Sequence, residues 1–246
     1  MLRSLVGSEM CIRDSYNLRA NIDAKINNYI NVRLDLTGMQ SNMNEPYVTP
    51  ASLFEYTVRR SPLDPIYNPD GTYYDMGSRH PIAERDDSGY RKSNNNNYRA
   101  KLGFDVKIPY VDGLKFSALF NYTRGVNHSK KFQTPYSLFL YGDDGSVTNE
   151  RIFGKTTLEE EMYKGNNMTT TFTLSYDKTF KDHSITALMV YEQYDAEGAT
   201  LGASRTNFPF TSIDQIFAGG DDEEQKNWGS PSQDARKGFV GRLNYN

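Results

Sequence analysis

Polar and apolar residues alternate singly along this chain in paired runs. Each pair is joined by a few residues, and tens of residues separate it from the next. From Tyr98 the even positions Tyr98, Ala100, Leu102, Phe104, Val106 and Ile108 are apolar or small, and Arg99, Lys101, Gly103, Asp105 and Lys107 fall between them. Side chains of an extended chain point to opposite faces in turn, so this run is a strand with one oily and one wet face. Val111-Asp112-Gly113 leads into a second run, Leu114, Phe116, Ala118, Phe120 and Tyr122, interleaved with Lys115, Ser117, Asn121 and Thr123. The two runs predict a hairpin.

The unit recurs on both sides. Leu18 to Ile26 and Ile30 to Leu36 form one pair across Asn27-Asn28. Phe172 to Tyr176 and Ile185 to Tyr194 form another across Lys181-Asp182-His183, and a seventh run, Phe239, Gly241, Leu243 and Tyr245, closes the series. Between the pairs lie residues 41–96, 128–167 and 196–236, rich in Asn, Gly, Pro and acids. Connections in compact soluble domains have a median of about 4–6 residues. Short turns at one end and long loops at the other are the wiring of an outer-membrane β-barrel. The expected fold is therefore all-β: a partial transmembrane antiparallel barrel of seven strands with long extracellular loops and periplasmic turns at Asn27, Asp112 and Asp182.

Strand length supports the barrel. Tyr98 to Ile108 spans ten steps of about 3.3 Å, and a tilt near 45° turns that into a rise of roughly 24 Å, close to the apolar band of such barrels. Leu102, Phe104, Val106, Phe116, Ala118 and Phe120 are then expected to face lipid. Arg19, Asn21, Asp23, Arg33, Asp35, Arg99, Lys101, Asp105, Asn121, Arg242 and Asn244 would line the lumen. Tyr29, Tyr110 and Phe180 beside the short turns, and Tyr98, Tyr122 and Tyr194 at the other ends, would form two interfacial girdles.

A mean hydropathy of -0.71 with 24% charged residues does not argue against this, because only alternate residues of a barrel strand meet lipid. A net charge of -3 excludes a strongly basic nucleic-acid binder. The first fifteen residues, MLRSLVGSEMCIRDS, show no alternation and resemble a translated sequencing adapter, so the native stretch is expected to begin near Tyr16 as an incomplete barrel domain over 16–246. The lone Cys11 in that stretch then says nothing about redox compartment.

Motifs in the loops are mostly turn chemistry. Pro69-Asp70-Gly71 sets a turn, since proline fixes φ and glycine supplies positive φ. A short helix is expected from Ala51 to about Arg59, with Thr49 and Pro50 at its start. His80, His128 and His183 form no catalytic pattern with neighbouring residues, and no nucleophile elbow or phosphate-binding glycine loop occurs. No enzyme and no cofactor is expected.

Four stretches together resemble the SusC/RagA family of TonB-linked outer-membrane proteins of Bacteroidetes-type bacteria. They are Pro62 to Tyr73, His80-Pro81-Ile82-Ala83, Leu174 to Ile185 with Tyr191-Glu192, and Gly241 to Tyr245. The resemblance implies an arc of a barrel of about 22 strands, lacking the family's plug, its TonB-contacting segment and its last strand. It further implies a transporter in the cell outer membrane, surrounded by outer-membrane lipid, that imports oligosaccharides or peptides. Its implied partners are a SusD-like surface lipoprotein and, through the plug, the TonB-ExbB-ExbD system.

Candidate substrate or partner contacts are the loop aromatics Tyr67, Tyr73, Tyr74, Tyr136, Phe139, Tyr141 and Trp228, whose rings can stack on sugar faces or pack on a protein. The same rings would also serve as small cores that hold long loops together. Asp221, Asp222, Glu223 and Glu224 are weak candidates for a hard cation such as calcium, against a plain solvated acidic loop. Asp143-Asp144-Gly145 reads as a loop-tip turn. The alternative to the importer is a soluble or surface-attached all-β glycan-binding module, which would bury one sheet face and lack long loops.

Overall fold

The computed structural model describes residues 11–220 and 224–246. Seven antiparallel strands form one open sheet: β1 (Ile12–Lys25), β2 (Ile30–Pro46), β3 (Gly89–Lys107), β4 (Leu114–Gln133), β7 (Thr157–Phe180), β8 (His183–Thr206) and β9 (Lys226–Tyr245). Neighbours in the sheet follow chain order, with a separate two-stranded hairpin, β5 (Tyr136–Tyr141) and β6 (Val147–Phe153), inserted between β4 and β7. This is a partial β-barrel wall, unclosed in this chain.

The short turns depend on particular residues. The Asn27 carboxamide oxygen accepts from the backbone N–H of Tyr29 and of Ile30 at 2.8 and 2.9 Å, so the side chain itself shapes the β1–β2 turn. Gly113, at φ 85°, has to be glycine, because a Cβ there would stand 2.0 Å from the Asp177 carbonyl oxygen.

Register keeps the apolar residues together. The row Ala24, Val32, Phe104, Ala118, Phe172, Tyr191, Phe239 runs straight across the seven strands. Ring contacts link Phe104 to Phe120, Phe120 to Phe172, Phe172 to Tyr191 and Tyr191 to Phe239, at centroid distances of 6.5, 5.9, 6.1 and 4.9 Å. Nothing among the described residues covers this face: Leu18 is 75% exposed, Phe239 78% and Leu243 73%. An uncovered apolar band of this extent belongs against lipid.

The band also crosses the sheet obliquely. Following paired residues from Tyr16, the upper apolar limit on β1, leads to Pro231 on β9, about eight residues short of the first ring there, Phe239. At the lower edge Ile26 lies beside Ile30, whose row ends at Gly241, about four residues before Tyr245. A mean drift of about six residues, or roughly 20 Å, over six gaps of about 4.8 Å corresponds to a strand tilt near 35°. Barrel strands tilt by about 35–45°.

Two expectations from the sequence are corrected. The strands run well past the ends of the alternation, so the long connections shrink to 47–88, 134–156 and 207–225 from the expected 41–96, 128–167 and 196–236. Above the band the strand residues are mostly polar on both faces. Hydropathy therefore stops alternating while backbone pairing continues, because each N–H and C=O still needs a partner. Tyr194 is not on the apolar face with Tyr98 and Tyr122. On β8 the odd residues Ile185 to Tyr191 share the band, and an odd step from Tyr191 puts Tyr194 on the other side. The Arg236 guanidinium sits over its ring at 5.0 Å. All eleven residues expected to line the lumen do share one face, the one opposite the band.

Candidate functional site

The long connections all leave the sheet at one end, and they are folded. Helix α1 (Pro50–Val58) starts as its residues dictate: the Thr49 hydroxyl accepts from the Ser52 N–H at 3.2 Å, and Pro50 takes the first helical turn. The Pro-Asp-Gly turn closes with Asn68 N–H donating to the Thr72 carbonyl at 2.8 Å, while the Asp70 carboxylate holds the Thr72 N–H at 3.1 Å. Helix α2 (Pro81–Asp86), which alternation gave no hint of, is capped by His80. Its signal was the His80-Pro81 pair, a capping side chain followed by proline.

These pieces meet in a small core of Ala83, Tyr136 and Leu138, with Tyr73 and Phe153 packed against it. The β5–β6 hairpin thereby becomes the second wall of the 47–88 loop. Its turn at Asp143-Asp144-Gly145 is as read from the sequence, with the Asp144 carboxylate accepting from the Ser146 N–H at 3.0 Å. A second core joins Phe132 and Leu158 of the strands to Phe208 of the 207–225 connection. There Lys130 bridges Glu160 and Asp214 at 3.2 and 3.1 Å, and Tyr90 also bonds Asp214.

Polar groups pin the first core. Asp75, whose side chain is fully buried, accepts from the Gly77 N–H at 2.9 Å, from Asn149 at 3.3 Å and from Arg151 at 3.2 Å, tying the loop to β6. Glu84, equally buried, accepts from the Tyr136 hydroxyl at 2.9 Å and from Arg79. Burial, then the Glu84 charge, pushes the Tyr136 phenol well above its ordinary range. Tyr73 is raised likewise by burial and by its bond to Asp87 at 2.5 Å.

The predicted contact aromatics divide between these roles. Tyr136 is buried and stacks on Phe153 at 5.7 Å, and Tyr73 packs on the same core. Tyr67 stacks on Tyr73 at 5.7 Å and is 48% exposed, so it caps the core and faces outward. Tyr74 bridges to Phe139 through the backbone, and the Tyr141 hydroxyl donates to Asp70 at 2.5 Å. Trp228 is not in a loop. It belongs to β9, opposite Gly202, and its indole N–H donates to Glu161 at 2.9 Å.

Asp221, Asp222 and Glu223 lie outside the described residues, and Glu224 pairs with Lys155 and accepts from the Thr206 hydroxyl at 3.1 Å. Among the described residues no group of three or more metal-ligating side chains occurs. No helix there is long and apolar enough to cross a membrane, which says nothing of strands.

His80 makes the loop layer sensitive to acid. Its Nδ1 accepts from the Ala83 N–H at 3.2 Å and its Nε2 donates to the Ile66 carbonyl at 2.9 Å, an arrangement only the neutral ring can satisfy. The ring is fully buried against Tyr73 and close to Arg60, and burial first, opposed by the Ile66 bond, lowers its pKa. With the folded value below the unfolded one, stability is fully present above about pH 6.5 and declines as pH falls through that value toward the folded pKa. The hydrogen-exchange protection factors of residues 60–90, taken relative to intrinsic exchange at each pH, should therefore fall between pH 7.5 and pH 5. His80→Asn, which keeps the cap and cannot titrate, should remove that fall.

No protein-family model matches the sequence, and no curated protein matches it either. Solved structures do. The chain resembles chains of the RagAB peptide importer in its closed-closed state, with TM-score 0.67 and 17% identity, and in its open-open state, with TM-score 0.69 and 18% identity. A structure of the RagAB peptide transporter matches with TM-score 0.61 and 18% identity. In each case 95% of this chain is covered and 26% of the other, so the chain spans about a quarter of those proteins' length. At this identity the likeness establishes the fold.

Proposed function

We propose that this chain is an arc of the barrel of a SusC/RagA-type TonB-linked importer in the outer membrane, taking up oligosaccharides or peptides. The observation that carries the reading is the uncovered apolar band, tilted as barrel strands are, below a folded layer of connections on one side only. A glycan-binding sandwich would cover such a face with a second sheet. The RagAB likeness supports both the transport class and a lipoprotein partner of SusD type at the outer mouth. Drive from TonB-ExbB-ExbD would act through the importer's plug, with no chemistry done on the substrate.

Partner contact is assigned to the outward surface of the 47–88 loop. Phe54 and Val58, one helical turn apart on α1, are 69% and 61% exposed, and Leu63 is 90% exposed. Tyr67 continues that surface. Labelling of intact cells with a membrane-impermeant thiol reagent tests the topology on the full-length protein. Leu63→Cys should label on intact cells, and Asp112→Cys, at a short turn whose side chain is 90% exposed, only after the outer membrane is permeabilised. The reverse pattern would invert the barrel and remove the import reading.

A further inference from the structure

The polar face of β7, β8 and β9 carries three aromatic side chains that the loop layer does not use. Tyr163 of β7 pairs with Thr200, Trp228 of β9 with Gly202, and Tyr194 of β8 with Thr169. By register all three share the face of Arg99, Asn121 and Arg242, opposite the apolar band. Aromatic rings on the wet side of a barrel wall gain nothing from lipid, so their placement calls for another cause.

Two of the rings lie against bare backbone. A Cβ at Gly165 would stand 2.4 Å from the Tyr163 hydroxyl oxygen and 2.8 Å from the ring carbon that bears it. One at Gly198 would stand 3.0 Å from that oxygen, and one at Gly202 2.2 Å from the Trp228 indole. Any side chain at these positions would push the rings off the wall. Gly125, Gly165 and Gly198 moreover occupy one row on three adjacent strands. A depression of about 300 Å³ opens there, bounded by Asn97, Thr123, Tyr163, Asn167, Tyr194 and Ser232. Tyr163 has one face on glycine and is still 43% exposed, so its other face looks into the depression.

Six of the bounding side chains are neutral. Of the charged ones nearby, Glu197 accepts from Asn166, Asp234 pairs with Arg236, Arg236 rests on Tyr194, and Arg99 stands beside Thr123 on the same face. A flat ring offers an apolar, electron-rich surface, and carboxamides offer donors and acceptors together. A pyranose matches both demands, with a C–H face for the ring and a rim of hydroxyls for Asn97 and Asn167.

Height along the wall completes the pattern. Trp228, the Tyr163 ring over its glycine row, and Tyr194 succeed one another at intervals of four residues, about 13 Å each. We infer that they form a track on the lumen wall that binds a neutral oligosaccharide chain. The inference rests on the importer reading, which makes the polar face the lumen, and it names a sugar as the cargo.

Isothermal titration of the full-length protein in detergent tests it. The probes are short linear neutral gluco-, xylo- and manno-oligosaccharides with α-1,4, β-1,4 and β-1,3 linkages, set against a mixture of neutral and charged peptides of similar length. At least one sugar should bind, Tyr163→Ala should weaken it about tenfold or more, and Tyr163→Phe should stay within about threefold of the parent. Gly198→Val, which displaces the ring without removing it, should weaken binding as Tyr163→Ala does. Absence of sugar binding across the set, sugar binding untouched by Tyr163→Ala, or peptide binding that depends on Tyr163 would each overturn the inference. None of these alters the thiol-labelling pattern, so failure here is distinguishable from failure of the importer reading.

Discussion

Arginine at Phe172 in the full-length protein is expected to cost about 2–4 kcal/mol of folding free energy in a bilayer, and arginine one residue earlier, at Thr171, less than about 1 kcal/mol. Phe172 sits in the apolar row, within 6.1 Å of Phe116, 5.9 Å of Phe120 and 6.1 Å of Tyr191 between ring centres. A guanidinium there must be drawn out of hydrocarbon or carry water in with it. Thr171 points to the opposite face, pairs with Leu119 and Glu192, and its hydroxyl lies 3.4 Å from the Glu192 carboxylate, which would welcome a cation. Urea unfolding of the barrel in lipid vesicles measures both variants. Equal penalties at the two positions would show that the faces are not lipid and lumen.

A second large effect is expected in the loop layer, without injury to the barrel. Glu84→Ala should loosen the 60–90 loop and the β5–β6 hairpin by about 2–3 kcal/mol, because the buried Tyr136 hydroxyl and the Arg79 guanidinium lose a charged acceptor together. Glu84→Gln keeps the shape and an acceptor oxygen, and should cost less. Hydrogen exchange should rise across residues 60–90 and 136–153 in both variants, in that order. Strands β3, β4 and β7 should stay protected at band height, since no band residue touches Glu84. If protection fell uniformly through the chain, the loop layer would not be a separate cooperative unit.

The relation of sequence to structure differs between band and loops. In the band each residue has one decision to make, lipid or water, and a period of two records it directly. That is why Leu102 and Phe120 could be put on one face and Asp105 and Ser117 on the other from the alternation around Val111-Asp112-Gly113; the pairing of Leu102 with Phe120 and of Asp105 with Ser117 keeps those faces. Above the band the rule lapses. Asn94 to Asn97, and Glu159 to Glu161, are strand residues whose polarity alone reads as loop. Tyr194 went to the wrong face for a related reason: the run from Ile185 ends before it, and one odd step reverses a side chain.

Loop aromatics were visible as a group, but their roles were not. Tyr136 anchors a core because Ala83 and Leu138 meet it from segments far apart in the chain, and Tyr67 stays half exposed because it lies on the outside of the same contact. Trp228 reads as a loop ring until its strand is paired and Gly202 is found beneath it. His80 likewise needed the Ile66 carbonyl, fourteen residues away, before its neutral form acquired a function.

Taken by itself, the sequence determined the all-β class, the hairpin order, the short-turn and long-loop ends and the two faces of the wall, because each follows from local periodicity and turn chemistry. Only the tertiary structure decided how high the wall stands, which loop rings are core and which are surface, and that Tyr163, Trp228 and Tyr194 share one wall over glycines. Those facts depend on which residues from distant strands stand side by side, and pairing register, which fixes it, is a property of the whole sheet.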